Sequence, residues 1–206
     1  MLQNNNDKSI RAFLACSPSQ EVRGQIISLQ ETFQKQIPSG AVAWVKPEGI
    51  HLTLKFLGYI SPAQEEDVRY LVAETVKTQG AFHLSAQGAG AFPTLYKPKV
   101  IWMGLGGETE SLLNLQRNID LALTAAGFPQ EDRPFQGHLT LGRVKKTWAN
   151  EEIKKCLTLA HGFTGGQFSV DHLSLFKSDL TPNGAIYTTL HIFPLAPTDL
   201  REYSPR

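Results

Sequence analysis

Four residues occur twice in this chain. His51-Leu52-Thr53-Leu54 opens the stretch that runs through Lys55-Phe56-Leu57-Gly58, and His138-Leu139-Thr140-Leu141, within Gly137 to Val144, repeats it 87 positions downstream. One His-x-Thr is noise. Two copies in matching strand-like contexts imply an internal duplication in which each half contributes one histidine.

The rest of the chain repeats around the motifs. Ile10 to Ala15 reads as a first strand. Ser17-Pro18 then opens a helix, with Ser17 as N-cap and Val22, Ile26, Leu29 and Phe33 on one face. Ala41–Val45 reads as a short strand and Lys46–Gly49 as a turn before the first motif strand, which runs through Phe56. Ser61 to Gln64 has capping-box spacing, and Val68, Leu71, Val72 and Val76 give that helix its apolar face. Phe82–Ala86 closes the half as a strand, and residues 87–98, rich in Gly and Pro, read as a loop.

The second half follows the same order. Val100–Leu105 is a buried strand, and the helix over 109–126 carries Leu112, Leu115, Ile119 and Leu123 and stops at Gly127. An irregular approach leads to the second motif strand. A helix through Ile153 and Leu157 follows, then a strand from Phe168 to Leu175 whose alternation slips near His172 in the manner of a bulge. Thr181-Pro182-Asn183-Gly184 marks a turn into a last strand over 185–193.

Each half thus reads strand, helix, motif strand, helix, strand. The expected fold is α+β and bilobal, with a pseudo-two-fold axis and a central cleft between antiparallel sheets. Residues 1–206 are expected to form a single bilobal domain, with ordered structure over about 10–193 and flexible tails at 1–9 and 195–206.

Alternation along a strand places His51 and Thr53 on one face with Leu52 and Leu54 on the other, and likewise His138 and Thr140 against Leu139 and Leu141. If the halves face each other, two imidazoles and two hydroxyls converge. With a reference pKa near 6.5, one imidazole of a pair can be neutral while the other is protonated, which suits a base and an acid. Threonine hydroxyls donate to the oxygens of a bound oxyanion. The set fits in-line displacement at phosphorus, one histidine activating the nucleophile and the other protonating the leaving oxygen. Arg143, five residues after His138, begins on the wrong face by parity and reaches the cleft only if the strand turns, which Gly142 permits; its planar fork would then clamp a phosphate.

Other readings are weaker. Zinc needs three or four ligands, and no Cys, Asp or Glu cluster accompanies either motif. His83, His161, His172 and His191 lack a repeated context and read as structural or surface residues. Phe56 reads as core before cleft rim. Lys145-Lys146 reads as a solvated step, since two charges do not make a stripe. A net charge of +1 argues against a dedicated duplex binder. Cys16 and Cys156 form no metal spacing or disulfide framework, the start lacks an apolar signal core, and no apolar run spans a bilayer; a cytoplasmic setting is expected.

The doubled motif, with Arg143 after the second copy, resembles the two-histidine (2H) phosphoesterase superfamily. Within it the chain is most similar to the RNA 2',3'-cyclic phosphodiesterases, the LigT-like or "2'-5' RNA ligase" family. Arg11-Ala12-Phe13-Leu14-Ala15, Pro98-Lys99-Val100-Ile101-Trp102, Leu175–Ser178 and Gly184–Tyr187 extend the resemblance over roughly residues 10–193. It implies a metal-independent enzyme without cofactor that opens a 2',3'-cyclic phosphate at RNA termini or on short oligonucleotides, leaving a 2'-phosphate. It further implies His51 as proton donor to the 3' oxygen, His138 as proton acceptor from water, and Thr53, Thr140 and Arg143 as phosphate ligands. By symmetry alone the two proton roles are interchangeable. A monomer with no protein or membrane partner is expected. The competing readings are 2'-5' RNA ligation at the same site and a non-catalytic nucleotide- or RNA-binding module.

Overall fold

The computed structural model describes residues 9–131, 133–182 and 184–197. Nine strands form one continuous antiparallel sheet in the order β7-β4-β5-β6-β3-β1-β8-β9, with the short β2 on the free edge of β6. The strands are β1 (Ile10–Cys16), β2 (Val42–Trp44), β3 (Leu52–Ile60), β4 (Phe82–Phe92), β5 (Val100–Gly107), β6 (Leu139–Val144), β7 (Thr164–Val170), β8 (His172–Thr181) and β9 (Gly184–Pro194). The helices are α1 (Gln20–Gln36), α2 (Pro62–Val76), α3 (Thr109–Ala125) and α4 (Asn150–Leu159). The expected α+β, two-lobed antiparallel architecture is present.

The two motif strands join the lobes. β3 and β6 pair at one residue position only, Leu52 opposite Leu139, so the pseudo-two-fold axis passes through equivalent leucines of the two motifs. On one side lie β3, β1, β8 and β9; on the other lie β6, β5, β4 and β7. The lobes are not the two sequence halves. β4, which ends the first half, pairs with β5 in the second lobe, and β8 pairs with β1 in the first. Each half therefore completes the sheet of the other.

That exchange explains a misread feature of the sequence. The alternation slip near His172 is not a bulge in one strand. β7 ends at Val170, Asp171 intervenes, and β8 begins at His172 in the opposite lobe. Other boundaries also differ. Ser19, not Ser17, caps α1 by accepting from the Val22 amide. β4 continues through residues expected in a loop as far as Phe92, passing a bulge at Gly88 where φ is +62°. The capping box of α2 forms as expected, with Ser61 and Gln64 each satisfying the other's backbone amide.

α1 and α4 pack on the second lobe, against β7 and β4; α2 and α3 pack together on the first, against β3 and β9. Their apolar faces (Val22, Ile26 and Phe33; Val68, Val72 and Val76; Leu112, Leu115, Ile119 and Leu123) are buried as expected, while Leu29 and Leu71, expected on the same faces, are half-buried at their edges. Among the buried polar side chains, two tie a helix or its neighbouring segment to a strand. Gln30 on α1 donates to the carbonyls of Val45 and Leu141. Lys55, directly after the first motif, is 1% exposed and bonds to Asp120 on α3 and to the Pro129 carbonyl.

Removing one partner of a buried pair strands the other charge, at a cost of about 3–5 kcal/mol. Lys55→Met is expected to destabilise the chain by about that amount in urea unfolding. Adding Asp120→Leu should recover most of the loss. A Lys55→Met protein as stable as wild type would show that the clamp contributes nothing.

Candidate active site

Both histidines sit one residue before their strands, on either side of the Leu52–Leu139 joint. Each ring is tied to the carbonyl two residues upstream. His138 Nδ1 lies 2.7 Å from the Gln136 oxygen, and His51 bonds to the Gly49 carbonyl. A carbonyl only accepts, so Nδ1 of His138 carries the hydrogen and Nε2 is left to exchange a proton with a ligand. Thr53 and Thr140 follow on the same faces. Neither hydroxyl has a protein hydrogen-bond partner among the described residues, so both are open to a ligand's oxygens.

Arg143 reaches this face through a bulge. Opposite β5, Trp102 pairs with Thr140 but Ile101 pairs with Gly142, so Leu141 is an extra residue that resets the alternation. Arg143 then pairs with Val100, which pairs in turn with Phe92, placing the three in one cross-strand row beside the row Thr140, Trp102, Gly90. Arg143 is exposed, and its charge is felt by His138. The opposite side repeats the device: Ala15 pairs with Thr53 and Leu14 with Lys55, leaving Leu54 as the extra residue. The residue equivalent to Arg143 is Phe56, in a row with Phe13 and Phe176. Phe56 is thus no core residue. It is 54% exposed on the histidine face, its ring 6.0 Å from that of Phe13.

The two sides differ chemically where the backbone is symmetric. His51 is walled by aromatic rings, stacked on Phe13 at 4.8 Å with Phe176 behind it at 6.3 Å, and met edge-on by Tyr187 at 5.1 Å. Among the described residues His138 has one such neighbour, Phe92, edge-on at 5.0 Å. Trp102 stands 5.2 Å from Phe92 and lies flat on the sheet, because Gly90 beneath it has no side chain; a Cβ there would fall 2.4 Å from the indole. None of these aromatics stands out in the sequence as a site residue. The cross-strand rows that gather them follow from a register that bulges had shifted.

Burial sets the ionisation. It lowers the His51 pKa to about 4, opposed by the Gly49 carbonyl and reinforced by His138. Burial also lowers His138, with the Gln136 carbonyl opposing and Arg143 adding to the effect. Both shifts favour the neutral imidazole at neutral pH. Among the described residues, no three His, Cys, Asp or Glu side chains are grouped as metal ligands, and no helix is long and apolar enough to cross a membrane. Two cavities, of about 470 Å³ between α1 and α4 and about 430 Å³ beside Trp102, are lined by no motif residue.

A family model described as the 2'-5' RNA ligase superfamily matches residues 18–182. A protein of Methanothermobacter thermautotrophicus named RNA 2',3'-cyclic phosphodiesterase is 32% identical over 90% of this chain and 99% of its own length. A second of that name, from Aquifex aeolicus, is 30% identical over 91% and 98%. Among solved structures, E. coli LigT complexed with 3'-AMP superposes with a TM-score of 0.72 at 26% identity, covering 91% of this chain and 99% of that one. A Thermus thermophilus structure gives 0.72 at 27% identity, covering 90% and 98%.

The lowered His51 pKa has a measurable consequence. Between about pH 6.5 and 4 the unfolded chain takes up a proton at this residue that the folded chain refuses, so stability falls with pH across that window. The contribution is up to about 3 kcal/mol. Thermal melts from neutral pH down to pH 4 should show a smaller loss of Tm for His51→Gln than for wild type. Parallel losses would mean that His51 keeps an ordinary pKa in the fold.

Proposed function

The chain belongs to the 2'-5' RNA ligase superfamily, and on that premise we propose that it is an RNA 2',3'-cyclic phosphodiesterase whose site is the paired-histidine face. The observation that carries the reading is the convergence of both His-x-Thr motifs on the single Leu52–Leu139 joint. A small anion lodged there meets imidazoles from two sides and hydroxyls from both strands. The substrate is the cyclic phosphate at an RNA terminus, and the product is a 2'-phosphate with a free 3' hydroxyl.

His138 acts as the base. Its Nδ1–H is held by Gln136, and the lone pair on Nε2 takes a proton from the attacking water. His51 acts as the acid that protonates the departing 3' oxygen. Burial lowers the pKa of His51 to about 4, which by itself opposes a protonated acid there. The substrate changes the balance: an anionic phosphodiester between the rings favours the imidazolium on either side. The Phe13 face stacked on His51 stabilises a charged ring as well. Thr53 and Thr140 donate to the non-bridging oxygens, and Arg143 offsets the charge that builds on them. No step calls for a metal.

Both motifs come from one chain, so the site is complete in a monomer. Cys16 and Cys156 are both free and buried, and burial raises both thiol pKa values, which suits a chain that works without disulfides in the cytoplasm.

The test is an RNA oligonucleotide ending in a 2',3'-cyclic phosphate, incubated with the protein in EDTA. The expected product is a 2'-monophosphate, formed at a rate EDTA does not change. His51→Ala and His138→Ala should each lower kcat by about 10²–10⁴-fold, while Thr53→Ala and Thr140→Ala keep measurable turnover. Binding without turnover would make the protein a nucleotide-binding module, and EDTA-sensitive turnover would defeat the metal-free mechanism.

A further inference from the structure

Away from the histidines, two segments distant in sequence meet at the outer end of the second lobe. One is residues 94–99, between β4 and β5. The other is residues 143–150, from the end of β6 to the start of α4. The Val144 amide donates to the Lys99 carbonyl at 2.9 Å, Asn150 Nδ2 to the Tyr96 carbonyl at 3.5 Å, and Lys154 Nζ lies 4.6 Å above the Tyr96 ring.

Together these segments hold five cations, Lys97, Lys99, Arg143, Lys145 and Lys146, and no acidic residue, in a chain whose net charge is only +1. All five are exposed, and none is in an ion pair among the described residues. The next acids along the chain, Glu151 and Glu152, are followed by Lys154 and Lys155. Among the cations, Tyr96 is 72% exposed and Trp148 63% exposed. Folding gains little from leaving such rings in water. Exposed rings beside unpaired lysines are the composition of surfaces that bind single-stranded nucleic acid, where rings stack bases of any identity and cations follow the phosphates.

The rim also continues the histidine face. The Lys99 amide donates to the Phe92 carbonyl, Phe92 touches His138, and Arg143 stands in the row of Phe92. From Leu139 at the joint to Lys145 is six residues of extended chain, about 20 Å at about 3.3 Å per residue. A mononucleotide at the histidines does not extend that far. A strand does.

We propose that this rim is a single-stranded RNA platform that holds the nucleotides preceding the reacting terminus, so that the chain is built for RNA ends and not for cyclic mononucleotides. The position of the terminus rests on the phosphodiesterase reading; the binding does not. The experiment uses the full chain, a labelled single-stranded RNA of about ten nucleotides, the same RNA with a terminal cyclic phosphate, and a 2',3'-cyclic mononucleotide. Lys145→Glu/Lys146→Glu and, separately, Tyr96→Ala/Trp148→Ala are expected to weaken RNA binding and to lower kcat/KM on the oligonucleotide by about tenfold or more. Turnover of the mononucleotide and Tm should stay unchanged. The lysine variant should also flatten the dependence of log Kd on log salt by about 1.4, for two lost phosphate contacts. Equal RNA binding by wild type and both variants, or equal losses on oligonucleotide and mononucleotide, would overturn the platform. If neither cyclic substrate turns over, the phosphodiesterase reading fails while the binding comparison still decides the rim.

Discussion

The site depends on the joint at which Leu52 meets Leu139. The two lobes of the sheet, four strands on one side and four plus the short β2 on the other, pair through one residue position, and that pair is the central leucine of each motif. One residue before it on each strand is a histidine, and one residue after it a threonine. The separation of the imidazoles is therefore fixed by backbone pairing and not by a flexible loop. The strand exchange reinforces this. Because β4 and β8 each cross to the opposite lobe, the joint cannot open without disturbing sheet on both sides.

The bulges at Leu54 and Leu141 then decide what else faces the same side as the histidines. Each inserts one residue, and each turns the fifth residue after the histidine toward the cleft. With the backbone equivalent on both sides, the side chains diverge: Phe56 on one wall and Arg143 on the other, Phe13 opposite β3 and Val100 opposite β6. An apolar wall depresses the pKa of His51 most, while the cationic wall faces His138. The duplicated fold thus yields an asymmetric site, as a reaction with distinct entering and leaving groups requires. Lys55 and Gly142, also equivalent, show the same divergence below the face. Lys55 anchors α3 and the Pro129 segment to β3, whereas Gly142 makes room for Val42 and Trp44 of β2.

Much of this was legible in the sequence, for identifiable reasons. The repeat survives in the linear chain because His-x-Thr uses strand alternation within three residues, too short for a bulge to intervene. Helix faces were legible because each is local and periodic; the miss on the α1 cap, Ser19 for Ser17, is a shift of two residues among Ser-Pro-Ser. What was hidden involves pairing between distant strands. Arg143 and Phe56 depend on bulges that exist only opposite β5 and β1. The break at Asp171 separates strands of different lobes, which no local pattern records. Gln30 occupies a buried site as a polar residue because two carbonyls need its amide, a demand set 15 and 111 residues away. The basic rim is of the same kind: Lys145-Lys146 alone is a solvated step, and becomes a patch only when Val144 bonds to Lys99.

On the proposed mechanism His51 and His138 act as one unit across the joint. Groups that serve a single step lose their effect together, so removing the second after the first changes little. The direct measurement is single-turnover kinetics of wild type, both single alanine variants and His51→Ala/His138→Ala on an RNA with a terminal cyclic phosphate. The double variant is expected to be about as slow as the slower single variant. Losses that multiply, or one single variant that retains the wild-type rate, would contradict it.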